Sequence, residues 1–317
     1  MAVGRCSGVL RGRTSRCSSV GSVLCHDSRP IELGGCSRTA LLVRAAWRVC
    51  NDADVTYEWD EQASKEAAAY AVSDADAAAL RGQCSVKAAS LGADGVRSHP
   101  VSFSVAAWDG PAGLPDGVPR TGCITRGDVL DIGQQVRDRE RPATDLLVAS
   151  FIWGWGAAGY GPRRLHEIRG AAGIQLESSL QHALDAVNAD PASPDPVAGY
   201  ACLYGGNDDQ DRAAPAQEPW SRLRGYGPAF FTKFLYFSTP GALILDNRLA
   251  NAVHKLSRMP HLVTGNPQSL AWTPYRYAVY LHWMTQTAQA AGTQPELLEV
   301  TLFQPSGELA DENDAAE

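Results

Sequence analysis

The sequence predicts a mainly α-helical protein, and three observations carry that expectation. Apolar residues recur at helical spacing, as in Val129, Ile132 and Val136 and again in Leu180, Leu184 and Val187. The β-prone material is one short run, VSFSVAAW over 101–108. Glycine- and proline-rich stretches, among them GWGAAGYGP over 154–162, punctuate the helical runs. The 317 residues suit one large domain or two small ones, and 44% hydrophobic content is enough to bury a core without disulfide or metal staples.

Composition also excludes several classes. No apolar run approaches the ~18 residues of a transmembrane helix, so a membrane span is not expected. The basic start lacks a continuous apolar stretch of ~7–15 residues, so a secretory signal is rejected. Cysteines 6, 17, 25, 36, 50, 84, 123 and 202 form no CxxC pair. That argues against a zinc knuckle or an iron–sulfur site and for free thiols in a reducing compartment. The histidines, among them His166, His254, His261 and His282, show no metal-binding spacing, so no metal is expected.

Charge is informative by segment. Residues 1–50 carry eight arginines against two acids and read as a disordered basic segment. Residues 51–121 form an N-terminal region of helix and short strand, 122–303 the main helical domain, and 304–317 an acidic tail with five acids. Residues 186–219 hold six acids against Arg212 and include a proline-rich loop. Residues 220–290 reverse this, with seven cations against Asp246 alone. A window of +6 within a protein of −7 suits a polyanion-binding face, or a solvated helix surface.

The elements follow in order. Residues 62–91 are Ala-rich and read as broadly helical, with no sharp amphipathic stripe. Thr125 with Asp128 resembles a capping box opening a helix to about residue 139. Further helices are expected over 143–153, from 163, over 176–188 and over 197–204. The centre of interest is 220–256, WSRLRGYGPAFFTKFLYFSTPGALILDNRLANAVHKL. Leu223 to Gly227 reads as a turn between two helical patterns. Its two glycines let backbone N–H groups point outward at the start of the next helix, where a phosphate can bind, although glycine also serves a plain turn. Pro228 suits the first helical position. A second GYGP, at 159–162, reads as a helix entry turn.

Two residues in this stretch stand out. Lys233 interrupts the apolar helix of Phe230, Phe231, Phe234, Leu235 and Phe237, and the chain has only four lysines against 24 arginines. A desolvated lysine can serve as an amine nucleophile, which arginine cannot; the alternative is a stem packed on the phenylalanines. Asp246 precedes a helix expected over 247–256 and stands where an N-cap belongs. A carboxylate held there stays ionised and is able to stabilise positive charge on a nearby sugar.

LRGYG, the aromatic helix with its lysine, and ALILDNRLANAV together resemble the helix–hairpin–helix DNA glycosylase superfamily. Within it the chain most resembles the 8-oxoguanine DNA glycosylase (OGG-fold) branch of actinobacteria, and TDLLVASFIWGWGAAGYGPRRL and TPYRYAVYLHWMTQTA fit that branch too. The resemblance covers about 122–303 and implies a helix–hairpin–helix glycosylase core. It implies that Gly225 and Gly227 grip a DNA phosphate and that Asp246 is the superfamily's shared aspartate. Arg224, Arg248 and Arg276 are assigned to the DNA-binding face. Bifunctional members place their lysine two residues after the second hairpin glycine; here Ala229 stands there and Lys233 lies four residues on. Trp153, Trp155, Tyr160, Phe230 and Phe231 are wall candidates for a flipped base.

The implied reaction is excision of an oxidised or otherwise modified base, 8-oxoguanine first, with AP lyase activity if Lys233 forms a Schiff base. The implied partner is double-stranded DNA carrying a modified base. No cofactor, no metal, no membrane and no obligate protein partner are expected, and the protein is expected to be a monomer in the cytoplasm at the nucleoid. Three alternatives stay open: a glycosylase acting on modified bases of foreign (phage) DNA, a non-catalytic helix–hairpin–helix DNA-binding protein, and an unrelated all-α regulator. Steep salt dependence of DNA binding separates the last from the rest.

Overall fold

A computed structural model of the chain describes residues 59–109, 113–213, 220–260, 262 and 272–303. The expectations for residues 1–50 and 304–317 lie outside these. The described residues are mainly helical, as expected, with a single pair of short strands among them.

Two helices, α1 (Asp60–Ala69) and α2 (Asp74–Leu91), make up the span expected to be broadly helical over 62–91. The Ala-rich composition favours helix throughout and so hides the break. Ser73 marks it: its side chain accepts from the Asp76 N–H at 3.1 Å and restarts the helix. The β-prone run 101–108 divides into β1 (Pro100–Ser102) and a short helix, α3 (Val105–Asp109), which buries Trp108. The partner strand, β2 (Cys123–Thr125), was not expected, because three residues are too few to show alternation. The pair is antiparallel, with Val101 opposite Ile124.

Thr125 ends β2 and caps α4 (Arg126–Arg137) with the expected capping box: its side chain accepts from Asp128 N–H at 3.1 Å while the Asp128 carboxylate accepts from Thr125 N–H at 2.8 Å. The chain continues through α5 (Ala143–Trp155), α6 (Tyr160–Ala172), α7 (Leu176–Val187), α8 (Pro196–Tyr204) and the short α9 (Asp209–Ala213). Next come α10 (Pro228–Ser238), α11 (Asn247–Ser257), α12 (Pro274–Ala291) and α13 (Pro295–Phe303).

Helix α5 is buried over nearly its whole length, and it packs on α4 and α10. The crossing of α4 with α10 depends on Gly133: a Cβ there would stand 1.8 Å from the Phe237 carbonyl oxygen. Helix α12 carries α1 and α2 on one side. Trp283 Nε1 donates to the Tyr70 carbonyl at 2.9 Å, and Arg81 Nε to the Ala291 carbonyl at 3.0 Å. Buried apolar residues from Ala63 to Leu302 form one contiguous core. No helix among the described residues is long and apolar enough to cross a membrane.

Candidate active site

The hairpin turn forms, but its first leg differs from expectation. Residues 220–223 are not helical. They run alongside α8, where Ser221 N–H donates to the Cys202 carbonyl at 2.9 Å. The turn closes with Tyr226 N–H on the Leu223 carbonyl at 3.1 Å, and Gly225 takes φ +81°, as the third position of a type II turn requires. Gly227 is extended and opens α10 without a capping side chain, and Pro228 follows at the first helical position. A Cβ on Gly227 would meet nothing within 4 Å, so this helix start faces open space.

The second GYGP is a different structure. Gly159 has φ −68°, α6 already begins at Tyr160, and Gly161 is buried inside that helix. A Cβ on Gly161 would stand 2.8 Å from Trp108 and Trp155, so this glycine seats two indoles. The tetrapeptide is a helix entry, as expected.

Asp246 caps α11 as expected, accepting from the Leu249 N–H at 3.1 Å. Lys233 lies on the facing helix, α10, and its Nζ donates to Asp246 Oδ2 at 2.9 Å. Nζ also donates to the Ala229 carbonyl at 2.9 Å. The side chain therefore folds back one turn toward the N-terminus of α10. It brings the amine to the level of Ala229, where the family pattern places its lysine. The side chains of Lys233 and Asp246 are 8% and 15% exposed, so the pair is largely removed from water. Burial pushes the Asp246 carboxyl up. The Lys233 ammonium and its hydrogen bond, the Leu249 N–H and Arg248 outweigh this and hold the carboxyl below its ordinary range.

Asp246 is positioned by an unusual stretch of buried backbone. Residues 242–245 belong to neither helix nor sheet, yet all four are buried. Side chains satisfy their polar groups. Tyr277 Oη donates to the Leu243 carbonyl at 2.9 Å, and Tyr280 Oη to the Ile244 carbonyl at 2.5 Å. Glu299 Oε2 accepts from Ile244 N–H at 2.8 Å, and Thr232 Oγ1 from Leu245 N–H at 3.1 Å. Glu299 is itself paired with Arg126, Nη1 to Oε1 at 3.0 Å, and both side chains are 1% exposed. Burial raises the Glu299 carboxyl above its ordinary range despite Arg126. Sequence reading missed Arg126, Glu299 and Thr232. Arg126 and Glu299 lie 173 positions apart, and Thr232 bonds across a loop to Leu245, so no local spacing announces them.

The aromatic wall candidates separate into two groups. Trp155 and Phe230 are half-buried and stacked, centroids 5.4 Å apart, and Tyr160 stands exposed, edge-on to Trp155 at 5.4 Å. Phe230 is also stacked on Phe151 at 5.0 Å, so Trp155 and Tyr160 carry the aromatic surface that stays open. Trp153 and Phe231 are corrected to core: they are buried, and pack on Phe237 and Tyr200 respectively. A base cannot stack on a ring already enclosed by packed neighbours.

The cations also divide. Arg224 is exposed on the turn. Arg248 is exposed on the first turn of α11, its guanidinium 5.0 Å from the Phe303 ring centroid. Arg276 is partly buried, and its Nη1 pairs with Glu66 at 3.0 Å, which ties α12 to α1. Arg164 was missed. Its guanidinium would lie 3.4 Å from a Cβ on Gly225, so α6 places a cation beside the hairpin glycine, where it also pairs with Glu167 at 3.2 Å. A cavity of about 480 Å³ lined by Val96, Arg97, Leu130, Tyr236, Pro240 and Leu297 includes neither Lys233 nor Asp246. Among the described residues no cluster of histidine, cysteine and carboxylate groups is placed to hold a metal.

A mainly helical domain in which a glycine turn opens one helix and an aspartate caps the next is consistent with an all-α glycosylase core. The chain belongs to the family described as "Putative 8-oxoguanine DNA glycosylase OGG-like protein", whose model matches residues 94–303. The match begins upstream of residue 122, where the hairpin resemblance alone started, and takes in β1, α3 and β2. No curated protein and no solved structure matches the chain.

Proposed function

We propose that the protein is a DNA glycosylase that extrudes a modified base from a duplex and excises it, with 8-oxoguanine as the first substrate. The observation that carries this reading is the Lys233–Asp246 pair, 2.9 Å apart on the two helices that follow the hairpin. In a bifunctional reaction the Lys233 amine attacks C1′ of the sugar. A C1′–N bond forms as the glycosidic bond breaks, and the electron pair leaves with the base, which takes up a proton. Loss of a proton from the amine and opening of the sugar ring give a Schiff base, from which β-elimination cleaves the strand.

Attack requires the neutral amine, so a proton leaves Nζ to water before the C1′–N bond forms, while Asp246 Oδ2, 2.9 Å away, orients the nitrogen. Asp246, held ionised, then stabilises positive charge at the sugar. Trp155 and Tyr160 supply the stacking surface for the flipped base, with Phe230 packed against Trp155. The N–H groups after Gly225 and Gly227, with Arg164, Arg224 and Arg248, supply phosphate contacts. The proposed partner is therefore double-stranded DNA, the protein acting as a monomer in the cytoplasm.

The test is borohydride trapping on an 8-oxoguanine:cytosine duplex. A covalent protein–DNA band is expected, absent in Lys233→Gln and in Lys233→Arg, whose guanidinium stays protonated. A band that survives loss of Lys233 moves the nucleophile elsewhere. Base release without a band makes the enzyme monofunctional, with water as nucleophile. Release from another modified base keeps the class and replaces the substrate, and no release from any duplex rejects the reading.

A further inference from the structure

Lys233 and Asp246 sit on different elements, and their 2.9 Å separation needs something to hold those elements in register. Helix α10 carries the lysine. The aspartate ends the irregular segment 242–245, which has no strand beside it among the described residues. Glu299, Tyr277 and Tyr280 anchor that segment at Leu243 and Ile244. At Leu245, immediately before Asp246, the anchor is Thr232, immediately before Lys233. Thr232 Oγ1 accepts from Leu245 N–H at 3.1 Å and lies 3.2 Å from the Leu245 carbonyl and 2.8 Å from the Pro228 carbonyl. Its one proton goes to either carbonyl, while its lone pair serves the Leu245 N–H. The residue is fully buried, so no water replaces it.

We propose that Thr232 is a positioning residue, whose hydroxyl locks Leu245 to α10 and thereby holds the Asp246 carboxylate against the Lys233 amine. Neighbour is bonded to neighbour: 232 to 245 and 233 to 246, so a slip of the segment along α10 breaks both contacts together. The hydroxyl also accounts for a threonine, not an aliphatic residue, inside the helix. A valine would fill the same volume and leave the Leu245 N–H without an acceptor. A purely structural staple would cost stability and nothing else. A positioning residue changes how the carboxylate and amine meet.

The inference rests on the glycosylase reading for its kinetic consequence, and the test separates the two. Thr232→Val and Thr232→Ser are compared in the full chain. Single-turnover base release at saturating duplex should fall about 10- to 100-fold in Thr232→Val, the scale set by a displacement near 1 Å, with duplex affinity unchanged. Thr232→Ser, which keeps the hydroxyl, should stay within about 2-fold, since the hydrogen bond is retained. The second readout needs no turnover. The carboxyl ¹³C titration of Asp246, assigned with Asp246→Asn, should have its midpoint below the ordinary aspartate range in the wild type and in Thr232→Ser. It should move up in Thr232→Val. Should Thr232→Val not fold, Thr232→Cys, a weak acceptor of similar size, is read the same way. A folded Thr232→Val with unchanged release and unchanged midpoint overturns the inference. If the wild type releases no base from any duplex, the glycosylase reading fails and the titration alone decides whether Thr232 sets the pair.

Discussion

The Cβ position of Gly154 lies 2.8 Å from Lys233 Cδ and 3.2 Å from Cε, so the missing side chain on α5 is the space through which the lysine stem passes. Gly154 is exposed, and Lys233 lies beneath it, 6% exposed. Substituting Gly154→Ala separates activity from stability. Alanine gains about 1 kcal/mol of helix propensity, which opposes the crowding. The atoms it meets belong to a flexible stem, so the stem yields and the amine leaves the Ala229 carbonyl and Asp246. Thermal unfolding should change little, while base release falls about 100-fold, the scale of a misplacement near 1 Å. Unchanged release in a folded Gly154→Ala would show that the stem has another path.

Asp246 governs a defined pH window. Its folded carboxyl is held below the ordinary range, so it contributes stability above its unfolded pKa of about 3.9 and loses it as pH falls through the lower folded value. Asp246→Asn keeps a good N-cap and removes the titration. The stability difference between wild type and variant, followed by urea unfolding, should be constant above about pH 5, beyond the titration range of the unfolded carboxyl. It should shrink below about pH 4. A difference that grows on acidification would reverse the sign of the shift.

How much of this was legible depended on where each partner lies in the chain. Local signals read well. Thr125 with Asp128 is a three-residue spacing, and Asp246 before an apolar helix is a position; both caps form as expected. The rarity of lysine singled out Lys233, whose stem folds back one turn to the Ala229 carbonyl. Signals that depend on tertiary contact did not read. Phe230 and Phe231 are consecutive, but a helix turns about 100° per residue, which leaves one half-exposed and the other enclosed. Arg164 reaches Gly225 from a helix more than fifty residues away, and Arg126 meets Glu299 across 173 positions.

That last pair is the one whose loss should cost most. Arg126 and Glu299 are fully buried, and Glu299 also holds the Ile244 N–H, two residues before Asp246. Removing one partner strands the other charge in the core. Glu299→Leu should lose about 3–5 kcal/mol in urea unfolding, and Arg126→Met a similar amount. The double variant should be less destabilised than the sum, because no unpaired charge remains. Additive losses would mean the two groups act independently. Base release by the double variant should still be impaired, since Ile244 N–H has lost its acceptor and the backbone leading to Asp246 is released.

The DNA face makes the final prediction, in which Arg164 replaces Arg276. Arg164 stands beside Gly225, Arg224 is on the turn itself, and Arg248 opens α11 next to Asp246. Arg164 and Arg224 flank the open start of α10, where N–H groups after Gly227 point outward, and Arg248 extends the cationic face to α11. A phosphate contact carries no sequence information and releases a counterion. Arg164→Ala, Arg224→Ala and Arg248→Ala should therefore weaken binding to damaged and undamaged duplex equally, each lowering the slope of log affinity against log salt by about 0.9. Arg276 is occupied by Glu66, with the Tyr275 hydroxyl donating to the same carboxylate at 2.6 Å. Arg276→Ala should leave the salt slope unchanged and reduce thermal stability, because α1 loses one of its ties to α12. Fluorescence anisotropy across a salt series distinguishes these outcomes. An Arg276→Ala slope reduced by a full contact would return that residue to the DNA face, and an Arg164→Ala slope identical to wild type would remove Arg164 from it.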